Sequence, residues 1–291
     1  MYRTLLDLPS LGLLVRSADA FVLLAIATVL FIGPRWAAAL EGVDRRAVRR
    51  SLLVLAVITL VGGRLHFMLN YPHAFAGRPL AVLKLWTGGL HIPGGILALA
   101  LAAPWVTRWF GLSSAGRFGD GIAPAMGLGI AIARMGCFLQ GCCFGTVCDH
   151  FWCLAFPEGS LPFVVHQSDG LLPAGAQWSL PVHPLQLYYV ASGLAITAVA
   201  LWLRPHKRYD GQVALVALLM FSLVSVAGLE FLRADAQPRV YWGALPQLAW
   251  TGLAMGAATA VALLLIGRRH RAAPPLPAAV PSGNELPQRL S

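Results

Sequence analysis

The chain is built from long apolar runs, among them the uncharged stretches Val182 to Leu203 and Val240 to Gly267, separated by short polar and basic joins. An apolar run of about 20 residues covers the hydrocarbon thickness of a bilayer as a helix. Segments at 18–40, 51–70, 86–106, 119–140, 183–203, 212–232 and 243–266 reach that length. The pattern therefore predicts an all-α integral membrane protein with seven transmembrane helices. The long join from Gly141 to Pro181 predicts a small cap, about 141–182, between the fourth and fifth spans. From Ala272 the sequence is Pro-rich and Ala-rich with no sustained apolar face, so 1–271 reads as the spanning domain and 272–291 as a disordered tail. The apolar stretch after Arg16 ends in Gly33, Pro34 and Arg35 without a small-residue cleavage site, so the first span is expected to stay attached.

Composition supports this reading. Of 291 residues 57% are hydrophobic and 12% charged, against roughly a quarter charged in soluble domains. A soluble globular enzyme is excluded on that balance. The net charge of +10 does not form a dense patch with interleaved aromatics, so no nucleic-acid partner is expected. It gathers instead in joins: Arg45, Arg46, Arg49 and Arg50, then Arg204, Lys207 and Arg208, then Arg268, Arg269 and Arg271. Cytoplasmic joins collect positive charge. With the N-terminus outside, the inner joins and tail also take Arg108, Arg117 and Arg289, leaving outside Arg3, Arg16, Arg78, Lys84, Arg233 and Arg239. N-out and C-in is the favoured topology. The cap carries Asp149, Glu158 and Asp169 but no Lys or Arg, as a translocated segment should.

Two arginines interrupt apolar spans, Arg64 in LVGGRLHFML and Arg134 in GIAIARMGCFL. Each costs roughly 2.5–3.5 kcal/mol even on lenient insertion scales, so each needs compensation. Arg64 lies about fourteen residues, roughly 21 Å, into its span, and Arg134 is similarly deep. The sixth span ends LEFLRADAQ, with Glu230 and Arg233 one turn apart, while the third and fifth enter with GGLHIPGG and HPLQLYY. Five spans thus direct polar groups, His91, His183, Gln186 and Tyr188 among them, toward one outward-facing zone. Arg64, Arg134 and Arg233 face one nearby carboxylate, Glu230, and their excess charge calls for an anion. A phosphate at headgroup depth, on a phospholipid entering sideways, is the natural ligand. Paired glycines at Gly62, Gly63, Gly88, Gly89, Gly94 and Gly95 allow close helix approach or broken helices.

Taken together these residues resemble the prolipoprotein diacylglyceryl transferase family, seven-span enzymes of the bacterial inner membrane, over roughly residues 18–266. ARMGCFLQGCCFG, Ala133 to Gly145, looks like that family's signature of Gly-Arg, Asn-Phe, Asn-Gly-Glu and a closing Gly, with Arg134, Gly136, Phe138, Gly141 and Gly145 matching. Further likeness lies in GGRLHF with Arg64, in HPLQLY with His183, Pro184, Gln186 and Tyr188, in EFLRADAQ with Glu230, Arg233, Asp235 and Gln237, and in LPQL with Gln247. The resemblance implies transfer of the diacylglyceryl group of phosphatidylglycerol to the lipobox cysteine thiol of prolipoproteins, releasing glycerol phosphate. It implies catalytic roles for Arg134 and Arg233, and a substrate-binding set of Arg64, Arg134, Cys137, Gln140, Gly145, His183, Gln186, Tyr188 and Glu230. Phosphatidylglycerol, the lipobox segment and membrane lipids are the expected partners, with no cofactor and the site on the periplasmic side.

The sequence departs from the pattern inside the signature. Cys137 and Gln140 stand for the two asparagines, Cys142 for the glutamate, Thr146 for a frequent arginine and Ala133 for a glycine; Tyr189 stands for the glutamate after HPxQLY. The histidine of the third span is Pro93 here. His91, two residues earlier and about 200° round a regular helix, can serve as catalytic base where Pro93 and the glycines break that helix.

All five cysteines, Cys137, Cys142, Cys143, Cys148 and Cys153, fall between the fourth span's outer end and the cap. Structural disulfides stapling the cap are expected in an oxidising compartment, and the odd count leaves at least one thiol. Cys137 or Cys142 could instead be a reactive thiol, its pKa lowered by Arg134. The spacing lacks paired CxxC and His150 is in no familiar ligand pattern, so no metal site is expected. His66, His73, His166, His206 and His270 read as isolated polar groups. Two rival functions stay open: a membrane thiol-disulfide oxidoreductase using the Cys137 to Cys153 cluster, and a non-catalytic lipid- or lipoprotein-binding paralogue.

Overall fold

The computed structural model describes residues 4–8, 13–71, 91–235 and 241–272. The predicted tail from 273, together with Arg3, His73, Arg78, Lys84, Gly88, Gly89, Gln237 and Arg239, lies outside the described residues, as do the side chains of Pro93, Gln247 and Arg271. A hairpin of β1 (Thr4–Leu8) and β2 (Leu13–Arg16) leads into α1 (Ser17–Glu41) and α2 (Arg45–Asn70). Next come α3 (Ile92–Trp109), α4 (Ala115–Gln140), the short α5 (Leu161–Ser168) and α6 (Leu185–Leu203). α7 (Gln212–Met220) widens into a π-helical stretch, Phe221–Gly228, and tightens into a 3-10 turn, Leu229–Leu232. A two-residue hairpin, β3 (Tyr241–Trp242) with β4 (Leu245–Pro246), precedes α8 (Gln247–Ala272). The apolar pattern gave no sign of either hairpin.

The architecture is that of an all-α membrane protein. Among the described residues six helices are long and apolar enough to cross a bilayer: Ser17–Glu41, Arg45–Leu69, Ala115–Gln140, Leu185–His206, Gln212–Leu232 and Leu248–His270. The predicted third span corresponds to α3, 18 residues long and not one of those six; residues 86–90 of that prediction lie outside the described residues. Leu23, Leu69, Trp105, Trp109 and Leu264 are exposed on the outer helix faces, an apolar surface that water would not tolerate and lipid tails would.

Helix ends follow local chemistry. Asp44 caps α2 by accepting from Ala47 N at 2.7 Å, and Ser114 caps α4 by accepting from Arg117 N at 3.3 Å. α4 ends at Gly141, whose φ of 75° is the left-handed conformation that turns the chain out of the helix.

Packing divides the bundle. α4 lies against α1, α6 and α7, while α2 and α3 pair with one another and α2 touches α1. α8 covers α7 and the π-helical stretch. At the α4–α6 crossing a Cβ on Gly127 would lie 2.7 Å from the Gly193 carbonyl oxygen, and one on Gly193 would lie 2.7 Å from that of Gly127. Only glycine lets these backbones meet, with Arg134 two turns along α4 and Tyr189 one turn before Gly193 on α6.

At the opposite end of α4 the basic join 204–208 is fastened to the bundle. Lys207 Nζ donates to Glu41 Oε2 at 2.5 Å and to Asp120 Oδ2 at 2.9 Å, and lies 3.7 Å from Asp210 Oδ1. Asp120 has no exposed side-chain surface and also accepts from the backbone N–H groups of Gly211 and Ala214 at 2.9 and 3.0 Å. Arg204 pairs with Glu41 at 3.5 Å and donates to the Leu40 carbonyl, and Arg117 pairs with Asp210 at 3.1 Å. Burial pulls the Lys207 pKa down, but its bonds to Glu41 and Asp120 outweigh that and leave it raised. Arg204 and Lys207, read from sequence only as topology-setting charges, therefore hold the fold.

Candidate active site

The cap brings three distant chain segments side by side. Thr146 N donates to Leu232 O at 2.7 Å and Ala234 N to Phe144 O at 3.0 Å, while Gly145 N donates to His183 O at 3.1 Å and His183 N to Thr146 O at 3.0 Å. The stretch 144–146 is thus bridged on one side to the entry to α6 and on the other to the exit from the 3-10 turn after α7, with Gly145 and Arg233 forming an isolated antiparallel bridge. Gly145 is required here, since a Cβ would lie 2.7 Å from His183 Cβ and 2.8 Å from its carbonyl oxygen. This pairing fixes Arg233 and His183 against the end of α4.

Arg134, in the penultimate turn of α4, places its guanidinium over the Tyr189 ring, 4.1 Å from the centroid. Among the described residues it forms no ion pair or hydrogen bond. Tyr189 also feels the charges of Arg233 and Glu230. Arg233 is neutralised: its Nε donates to Asp235 Oδ1 at 2.7 Å, its Nη2 lies 3.4 Å from Oδ2, and Glu230 Oε2 is 3.8 Å from Nη1. Sequence reasoning gave Glu230 as the nearby carboxylate and missed Asp235, although it stands two residues along the chain. Among the described residues Arg134 is left without an ion pair. The π-helical stretch sets the phase that brings Glu230 and Arg233 here, tied to α6 by the 2.9 Å contact between Ser192 and Ser225 hydroxyls.

The remaining expected residues divide by task. Gln186 is fully buried and donates from Nε2 to Cys142 O at 2.6 Å, its Oε1 without a hydrogen-bond partner among the described residues. His183 Nδ1 lies 3.1 Å from the Tyr188 hydroxyl. Gln140 Oε1 accepts from Ala18 N at 3.1 Å, and so caps α1, whose own N-cap residue Arg16 supplies no side-chain bond.

Arg64 and His91 form a second group on the α2–α3 pair. Arg64 is 4% exposed and lies over the Phe67 ring at 5.8 Å. His91 precedes α3 as its N-cap, with φ −99°, so the 200° offset of a regular helix does not apply to it. Its ring neighbours are His66 and Phe67, each at 5.2 Å, and Tyr71 at 5.6 Å. Its N–H donates to Gly63 O at 3.1 Å, and its buried Nδ1 has no hydrogen-bond partner among the described residues. These contacts lie on the α2–α3 pair, and those of Arg134 and Arg233 on α4, α6 and the turn after α7.

Cys148 and Cys153 form a disulfide, closing a loop whose Phe151 is 95% exposed. Cys137, Cys142 and Cys143 are free. Hydrogen bonding with Cys137 and Cys143, then burial, holds the Cys142 thiol above its ordinary range. Bonding with Cys137 does the same for Cys143. For Cys142 that direction is opposite to the one Arg134 alone would give.

Comparison with known proteins identifies the family. A profile of the family "Prolipoprotein diacylglyceryl transferase" matches residues 8–269. Proteins named phosphatidylglycerol–prolipoprotein diacylglyceryl transferase from Neisseria meningitidis and Neisseria gonorrhoeae are each 33% identical, over 226 and 228 residues, covering 74% of both chains. One of the same name from Legionella pneumophila is 30% identical over 215 residues, covering 73% of both. The oxidoreductase alternative finds no support among these relatives.

Proposed function

The chain belongs to the prolipoprotein diacylglyceryl transferase family, and from that premise we propose that it moves the diacylglyceryl group of phosphatidylglycerol onto a lipobox cysteine thiol. It is a multi-pass membrane enzyme, a transferase of lipoprotein biosynthesis. The observation that carries the fuller reading is Arg134, a cation inside an apolar bundle with an aromatic ring beside it and, among the described residues, no carboxylate in ion-pair contact.

The chemistry follows from that charge. A thiolate attacks the glyceryl carbon bearing the phosphate ester, the carbon–oxygen bond breaks, and glycerol phosphate leaves with the electron pair. Negative charge grows on the leaving phosphate, and a fixed guanidinium stabilises it more in the transition state than in the ground state. Arg134 takes this role. Arg233, held by Asp235 and Glu230, steers the headgroup and keeps Tyr189 in place, with Gln186, His183 and Tyr188 shaping the wall and Gly145 keeping it closed. Arg64 and His91 serve the other side of the lipid entry, where His91 can accept a proton.

In this reading α3 completes seven spans, the N-terminus is outside and the C-terminus inside, and the site opens to the periplasmic half of the bacterial inner membrane. The loop at Phe151 then lies at the bilayer surface, where aromatic side chains partition. The test is to incubate the full-length protein with phosphatidylglycerol vesicles and a lipobox peptide and to weigh the peptide. A diacylglyceryl adduct with equimolar glycerol phosphate is expected; bound lipid without adduct would leave only the binding-paralogue reading.

A further inference from the structure

Cys137, Cys142 and Cys143 carry Sγ atoms that all lie within 4.8 Å of one another, and the backbone is shaped to bring them there. Cys137 sits in the last turn of α4, and after the left-handed Gly141 the N–H of Cys142 returns to the Cys137 carbonyl at 3.1 Å. Cys142 Sγ lies 3.7 Å from that same oxygen. Cys143 has φ 57°, the single non-glycine at positive φ among the described residues, a conformation that costs an ordinary side chain about 1–2 kcal/mol. Gln186 holds the turn from α6 through the Cys142 carbonyl. All three thiols are half-buried, so the cluster is neither sealed in the core nor spread over the surface.

Three sulfurs converging on one point make one face of a tetrahedron. Zinc–sulfur bonds of about 2.3 Å place bound sulfurs about 3.8 Å apart, inside the spacing found here. Soft thiolates select zinc over hard cations. The charge balance is also suited: three thiolates and one dication sum to a single negative charge, and Arg134 interacts electrostatically with Cys137 and Cys143. We propose that Cys137, Cys142 and Cys143 bind a zinc(II) ion through their three sulfurs, leaving a fourth position open toward Arg134 for the thiol of the acceptor peptide.

The assignment gives the acceptor its activation. A thiol entering the fourth position loses its proton to solvent and is held as thiolate. Its sulfur lone pair then forms the bond to the glyceryl carbon while the carbon–oxygen bond breaks and glycerol phosphate departs. The neutral thioether is a poor ligand and leaves the metal. This step rests on the transfer reading above; the metal site itself does not. The CxxC spacing rule failed to suggest it because the third ligand depends on a left-handed turn at Cys143.

The experiment measures metal first and transfer second. Full-length protein purified under reductant should carry about one zinc per chain by mass spectrometry, and zinc should protect three thiols from maleimide, a readout that needs no variant. C137S and C142S should drop zinc to background. Cobalt(II) in place of zinc should show thiolate charge-transfer bands that grow when a lipobox peptide is added and not with its serine analogue. Chelator-treated protein should lose adduct formation about 10²-fold and recover it with zinc. Background zinc with three intact thiols, a disulfide among the three, or undiminished zinc in C142S would each overturn the site, and full transfer by the metal-free protein would overturn its role in activating the acceptor. Stoichiometric zinc with a peptide-responsive cobalt spectrum but no adduct would sustain the metal site and defeat the transfer reading instead.

Discussion

Two polar clusters lie at opposite ends of α4, fourteen residues and roughly 21 Å apart along the helix, and they obey different rules. At the Asp120 end three cations, Lys207, Arg204 and Arg117, meet three carboxylates, Glu41, Asp120 and Asp210, and every charge has a partner. At the Arg134 end Arg233 is paired twice over, while among the described residues Arg134 has a ring and no ion pair. A cluster that balances needs no ligand and serves the fold. One that is left a charge short is stable in a bilayer only with something else to hold, and the largest expected effects test that division.

The balanced end should respond through stability. Asp120→Ala removes a fully buried carboxylate, leaves Lys207 with less compensation and strands the N–H groups of Gly211 and Ala214. A loss of about 3–5 kcal/mol is expected, read as a lowered unfolding midpoint in detergent, while folded protein keeps its turnover per molecule. An unchanged midpoint would mean that the cluster is ornamental.

The unbalanced end should respond through rate. Arg134→Ala is expected to cut adduct formation by about 10²–10³, as does loss of one group that binds developing charge, while the unfolding midpoint moves little or rises. Turnover within a few-fold of the parent would show that the phosphate is held elsewhere. Arg134→Lys should recover only part, since a point charge lacks the planar fork that grips a phosphate.

How far this division could be read beforehand depends on the range of the interactions. The spans were legible because an apolar run must lie in hydrocarbon wherever it is, and Arg134 was legible because a charge in such a run demands an explanation. The partners of Lys207 were not: Glu41 and Asp120 are 166 and 87 residues away, and a basic join beside a span already has a sufficient meaning. Nor does depth in the bilayer reveal which helices are neighbours. Arg64 rides on α2, which packs on α3 and α1, a neighbourhood that an apolar run does not specify. The approach of Cys143 to Cys137 and Cys142 goes with a left-handed φ of 57° at Cys143, which the spacing of the cysteines does not reveal.

Gln140 offers the finest test, because it stands between the two rules. The signature resemblance makes it a substrate contact, whereas its Oε1 accepts from Ala18 N in the first turn of α1. An acceptor there satisfies one of the N–H groups that a helix start leaves open. Gln140→Leu should therefore cost about 1 kcal/mol of stability and leave the Michaelis constant for lipid unchanged. Gln140→Glu keeps the acceptor and adds a negative charge at a helix N-terminus, so the midpoint should return or exceed that of the parent. A raised Michaelis constant in Gln140→Leu with no change in midpoint would transfer this residue from the frame of the bundle to the lipid site.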